Sequence, residues 1–166
     1  MGENLGGGVL EVVEYAWGVL PKIKDFINGL GNSLPEDRYG KRGENIWIAK
    51  GAKVAPTACL SGPLIIDEDA EVRHCAFVRG SAIVGKGAVV GNSTELKNVI
   101  LFNKVQVPHY NYGGDSILGY NAHMVAGSIT STVKSDTTPG VVRCEGKECN
   151  TGRKKFGALM PDQAAI

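Results

Sequence analysis

Three residues have the types and spacing to do chemistry. His109 lies in the run Pro108-His109-Tyr110-Asn111-Tyr112-Gly113-Gly114-Asp115. An imidazole titrates near neutrality, so a positioned His can take up and return a proton at physiological pH. Arg79 and Lys97 stand eighteen residues apart. Two cations about 5 Å apart repel by roughly 1–3 kcal/mol at surface-like dielectrics, which water and long side chains relieve in part. Held together they would suit a phosphate oxygen; held apart they are two solvated basic residues. A His in a turn is, by itself, ordinary polar surface.

What would position these groups is written in a six-residue period. Aliphatic residues recur at Ile48, Val54, Leu60, Ile66, Val72, Val78, Val84, Val90 and Leu96. A second row, mostly small, follows each by four: Ala52, Ala58, Leu64, Ala70, Ala76, Ala82, Ala88 and Thr94. Residues two apart on a strand share a face, so both rows point one way. The triplets between them, such as Gly85-Lys86-Gly87 and Asp67-Glu68-Asp69, make corners. Neither a 3.6-residue helix nor a plain strand gives this pattern, whereas a solenoid does. Three sides close a coil of eighteen residues, and coils stack at roughly 4.8 Å. Arg79 and Lys97 each take the second, outward place of a hexapeptide and should lie on adjacent rungs.

The register slips after Leu96, continuing at Leu101 and Val107 one residue short, then through an irregular turn at 111–116. It resumes at Leu118 and Met124, with Ala122 and Ser128 in the small places. A polar insert at about 132–155 interrupts the coil, and Met160 and Ile166 pick it up again. The chain stops within a coil, which leads us to expect a missing further part or a capping partner.

At 166 residues the chain reads as one solenoid, 46–166, preceded by an N-terminal helical cap and linker, 1–45. Apolar residues at Val9, Val13, Ala16, Leu20, Ile23, Ile27 and Leu30 form an amphipathic stripe. Pro21 belongs in a first helical turn, which predicts two short helices bent near 18–21. Their expected role is to cover the open end of the coil, with a subunit contact as the competitor. Residues 31–45 read as a linker loop. A net charge of +1 argues against nucleic acid. The start MGENLGGG lacks a basic n-region and no membrane span follows, so a cytoplasmic location is expected. Cys59, Cys75, Cys144 and Cys149 form no disulfide framework there, and the pair Cys144 and Cys149 in the insert is too few for a structural zinc.

The period resembles that of the hexapeptide-repeat acyltransferase superfamily, whose fold is an all-β, left-handed parallel β-helix; the handedness comes from that resemblance. Segment 92–129, NSTELKNVILFNKVQVPHYNYGGDSILGYNAHMVAGSI, looks more narrowly like the acetyltransferase domain of the bifunctional N-acetylglucosamine-1-phosphate uridyltransferase/glucosamine-1-phosphate acetyltransferase family. It shares a Glu-x-Lys element, a His-x-x-Tyr-x-Gly-Asp element and an Ala-Gly-Ser-Ile-Thr turn. Carried over, the resemblance implies His109 as catalytic base. It implies Arg79, Lys97, Tyr112, His123 and Lys155 as residues that hold the sugar phosphate, and Ala126 and Gly127 as residues against acetyl-CoA. His123 stands where that family has Asn, the insert is longer, and no nucleotidyltransferase loop precedes the solenoid. The function implied is acetyl transfer to a phosphorylated amino sugar, in a homotrimer with sites between subunits and no metal.

Two other readings stay open. A zinc enzyme of the γ-carbonic anhydrase type uses the same solenoid with three His ligands. Here His74 and His109 would be about 10 Å apart within one subunit, too far for one zinc, and His123 is fourteen residues from His109. A non-catalytic binding or assembly module is the second.

Overall fold

Recurrence at eighteen residues closes the chain into a three-sided prism. The computed structural model describes residues 5–11, 13–144 and 146–166, so the first four, on which part of the targeting reading rests, lie outside the described residues. On the first face, Ile46–Ala49, Leu64–Ile66 and Ala82–Val84 stack in parallel, each residue on the one eighteen later. The second halves of Glu95–Leu101 and Tyr112–Leu118 and then Leu159–Met160 continue it. The second face is Lys53–Val54, Glu71–Val72, Val89–Asn92 and Gln106–His109. The third is Cys59–Leu60, Phe77–Val78 and the first halves of the two long strands.

Both sequence rows line the interior. Ile66, Val72, Val78, Val84, Val90 and Leu96 are buried, as are Ala70, Ala76, Ala82, Ala88 and Thr94 between them. At most corners above the lowest rung a residue takes left-handed backbone, and these residues form columns. One is Asp69, Gly87, Lys104, Asn121 and Gln163; a second is Cys75, Ser93, Tyr110 and Gly127; the third is Asn45, Ser81, Asn98 and Asp115. Asn, Asp and Gly suit that conformation because a short polar side chain, or none, relieves the Cβ clash.

Every departure from regularity falls at the third corner, between the third face and the first. The lowest rung has a cis Gly62–Pro63 bond there. The next has three residues, Arg79-Gly80-Ser81, between the paired Val78 and Ala82. The rung above has only Lys97 and Asn98 between Leu96 and Val99, so turns from there on take seventeen residues. A two-residue corner lets the strand run through, which is why Glu95–Leu101 and Tyr112–Leu118 are each seven residues long. The stretch 111–116, expected as an irregular turn, is thus mostly strand. Gly113 stacks on Leu96, whose side chain fills the space a larger residue would take. The insert leaves after Thr130 and returns at Gly157, so Leu159 lies on Ile117 after forty-two residues. It contains an antiparallel hairpin, Val141–Cys144 with Lys147–Asn150. In that hairpin Cys149 faces Val142 across the ladder, and the Cys144 side chain lies outside the description.

The N-terminal segment covers a face rather than an end. Trp47, Ile65, Ile83, Ile100 and Ile117 form a vertical column on the first face. Strand alternation turns them outward, yet all five are buried. Helix Ile23–Gly31 crosses three successive rungs of this face, and the 3-10 turn Ala16–Val19 packs on Tyr112–Leu118. A short helix, Gly7–Leu10, precedes them, so three helical pieces replace the expected two. Gly31 has no side chain because the Trp47 ring occupies that space. The column is a continuous apolar strip, and covering each aliphatic residue stabilises by about 1.5–3 kcal/mol. The stretch 31–45 contributes Tyr39–Lys41, which pairs antiparallel with Ile46–Ala49 at the lower edge. The buried Tyr39 hydroxyl donates to the Asp67 carboxylate. Among the described residues, no helix is long and apolar enough to cross a membrane.

Candidate active site

The third face is uncovered, and the candidate residues flank it. At its leading corner stands His109, the last residue of Gln106–His109, paired with Asn92 and exposed. His74 and Asn92 precede it on the same column; Asn92 donates through Nδ2 to the His74 carbonyl at 2.9 Å, and Thr57 Oγ1 lies 2.9 Å from His74 Nδ1. One rung above, Gly127 donates its N–H to the His109 carbonyl at 3.0 Å. Among the described residues the Ala126 N–H has no protein acceptor. No Cβ contact would meet a side chain at Gly127, so that corner is open backbone.

At the trailing corner Arg79 and Lys97 follow the paired Val78 and Leu96, on adjacent rungs. Arg79 Nη1 lies 2.8 Å from Glu95 Oε1. That hydrogen bond and the carboxylate charge hold the guanidinium protonated still more firmly, and the Tyr112 phenol adds to it. Tyr112 stacks on Glu95, and its hydroxyl lies over Gly114, the residue paired with Lys97. A side chain at position 114 would collide with that ring, so Gly114 is what lets the phenol reach the cations. The insert returns to the same corner: Gly157 donates its N–H to the Asp115 carbonyl at 2.9 Å, two residues after the exposed Lys155.

Arg79 and Lys97, with the Tyr112 hydroxyl beside Gly114, stand at one corner to which the insert carrying Lys155 returns, while His109 stands at the other, three residues before Tyr112 and across the Tyr110 turn. Arg79 and Lys97 are stacked as expected, and together with His109 they bracket one face. His123 lies elsewhere, on the second face above Gln106 and below Ala165. Sequence reasoning gave no role to Glu95, Asn98 or Arg153. Asn98 and Asp115 are seventeen apart and bonded, Nδ2 to Oδ1, at 2.8 Å; the shortened period was the signal for that pair. A recess of about 550 Å³ lies lower on the second face and is lined by Lys53, Glu71, Arg73, His74 and Asn92 among others. A second of about 350 Å³ opens at the root of the insert, beside Lys134, Lys154 and Phe156. Among the described residues no three His, Cys, Asp or Glu side chains cluster as a metal site.

A parallel prism wound on hexapeptides, with one clothed face and two cations at the corner of another, defines a hexapeptide β-solenoid. No family model matches the chain. It is 33% identical over 153 residues to the bifunctional protein GlmU of Methanococcus maripaludis, covering 90% of this chain and 37% of that protein. It is 33% identical over 134 residues to the bifunctional protein GlmU of Methanococcus aeolicus, covering 77% of this chain and 32% of that one. Among solved structures, the acetyltransferase domain of PglB from Neisseria gonorrhoeae matches with a TM-score of 0.59 at 17% identity, over 87% of this chain and 57% of that domain. The same domain in complex with acetyl coenzyme A matches with a TM-score of 0.50 at 20% identity, over 73% of this chain and 53% of that one. Relatedness to GlmU proteins thus extends along most of this chain, and its fold is that of the PglB acetyltransferase domain, consistent with the hexapeptide-repeat acyltransferase superfamily. It spans about a third of the length of the curated relatives it matches.

Proposed function

We propose that the protein transfers the acetyl group of acetyl-CoA to the amine of a phosphorylated amino sugar. The observation that carries this reading is the division of the bare face: a His beneath an unpaired backbone amide at one edge, and a cationic group at the other. His109 accepts a proton from the acceptor nitrogen as that nitrogen attacks the thioester carbonyl carbon. The Ala126 N–H is the donor available to the developing oxyanion, since the Gly127 N–H is spent on the His109 carbonyl. The carbon–sulfur bond then breaks, and the proton held by His109 is returned to the departing thiolate. Lys97, Lys155 and Arg79 orient the phosphate, contributing position rather than chemistry. Glu95 already occupies one side of Arg79, so the phosphate meets Arg79 through its remaining donors or displaces the carboxylate.

The same reading includes a homotrimer whose sites lie between subunits, with Ala126 and Gly127 against the acetyl-CoA and His123 contributing to the acceptor site from its own face or that of a neighbour. The relatives named as GlmU and the acetyl-CoA-bound structural neighbour support it. The test is acetyl-CoA consumption across a panel of amino-sugar phosphates, with glucosamine 1-phosphate first and His109→Ala as control. Turnover that survives intact in that variant refutes the base assignment; absence of turnover with every amino sugar refutes the reading.

A further inference from the structure

The returning strand of the insert is tied to the prism around a buried acid. The Asp115 side chain is 9% exposed. Its Oδ1 accepts from Asn98 Nδ2 at 2.8 Å and faces Arg153 Nη2 at 3.9 Å. Arg153 is itself the knot of the returning strand. Its Nε lies 3.4 Å from the Lys155 carbonyl, and its own carbonyl accepts from Gly140 N–H at 2.9 Å across the insert. The Asp115 carbonyl takes the Gly157 N–H, and Ser116 Oγ takes the Ala158 N–H at 2.9 Å. Lys155 thus sits between two anchors, Arg153 and Gly157, both held by the same residue.

We propose that Asp115 and Arg153 form a latch that sets the reach of Lys155 into the phosphate site, making both of them positioning residues. This rests on the functional reading only for the role of Lys155; the latch itself stands on the contacts. A carboxylate with so little water around it needs a cation or donors to offset its desolvation. Asn98 supplies a neutral donor, and Arg153 supplies the charge. Because the charge comes from the insert, the insert's docking and the neutralisation of Asp115 are one event. Lys155 inherits its position from that event, through the Arg153 Nε that lies 3.4 Å from its carbonyl.

Asp115→Asn is the clean variant. Position 115 has a φ of 45°, a conformation that Asn tolerates as well as Asp does, and the amide oxygen can still accept from Asn98. Two measurements follow on the full chain. Amide hydrogen exchange across 151–157 should accelerate in Asp115→Asn and in Arg153→Gln, and stay unchanged in Arg143→Gln, an exposed hairpin control. Calorimetric titration with glucosamine 1-phosphate should show binding weakened about tenfold by Asp115→Asn and by Lys155→Ala, with the double variant no weaker than Lys155→Ala alone. Non-additivity is the mark of a residue acting through another. Unchanged exchange in Asp115→Asn overturns the latch, and additive losses overturn its action through Lys155. Absence of acetyl transfer alongside the expected exchange and binding pattern sinks the functional reading and leaves the latch standing.

Discussion

The first and third faces of the prism share one backbone period and one set of inward residues, yet they have opposite fates. On the first, the outward column is Trp47, Ile65, Ile83, Ile100 and Ile117, and the N-terminal helices bury it. On the third, the corresponding column is Cys59, Phe77, Glu95 and Tyr112, with Ile129 bridged above, and among the described residues no helix covers it. Phe77 is 39% and Ile129 70% exposed. The inward rows recur on both faces, whereas the outward column adds burial on the first face alone. The outward place is free to serve attachment, as on the first face, or the chemistry proposed for the third.

The contrast can be broken most severely at His109. His109→Gln should lower kcat by roughly 10²–10⁴ while leaving Tm where it was, because the residue is exposed on a finished corner; a fall in Tm as large as that of a core variant would show the third face to be scaffold too. The opposite profile is expected from Ile83→Ala on the first face. It removes a fully buried side chain beneath the helices and should cost about 2–5 kcal/mol, read by denaturant unfolding, with kcat of the folded fraction intact.

Smaller effects sharpen the division. Lys97→Ala should raise the acceptor KM about tenfold, equal to roughly 1.4 kcal/mol, with kcat held; loss of kcat instead would move Lys97 from positioning to chemistry. Tyr39→Phe should cost about 1 kcal/mol by removing one donor to the buried Asp67, which keeps the Glu68 N–H. Burial first, and then the bond to Asp67, push the Tyr39 hydroxyl well above its usual pKa. The unfolded chain releases this proton near pH 10, whereas the folded one retains it. Its contribution is complete below that pH and falls away as pH rises beyond it. The wild type should lose stability there, and Tyr39→Phe should flatten that limb.

The inward architecture was legible because two rows of aliphatic and small residues repeat without a break from Ile48 to Leu96. The vertical relation of Arg79 to Lys97 followed from the same count. The lateral relation of His109 to them did not, since residue spacing gives the rung and not the side of a corner on which a residue falls. The column Trp47, Ile65, Ile83 recurs every eighteen residues just as visibly. Its outward register does not by itself say what covers it, and only the fold shows the helices lying on this face rather than over the open end. The strand through 111–116 was hidden by Asn111, Gly113 and Gly114, residue types that read as a turn until Leu96 and Tyr112 are seen to use the space they leave.

All changes of length in this chain are spliced into a single seam: a residue omitted at Lys97–Asn98 and some two dozen admitted between Thr130 and Gly157. The other two seams keep phase from bottom to top. Loops could be exchanged along that one line, altering which molecules the bare flank admits, while the spindle behind it goes on winding unchanged.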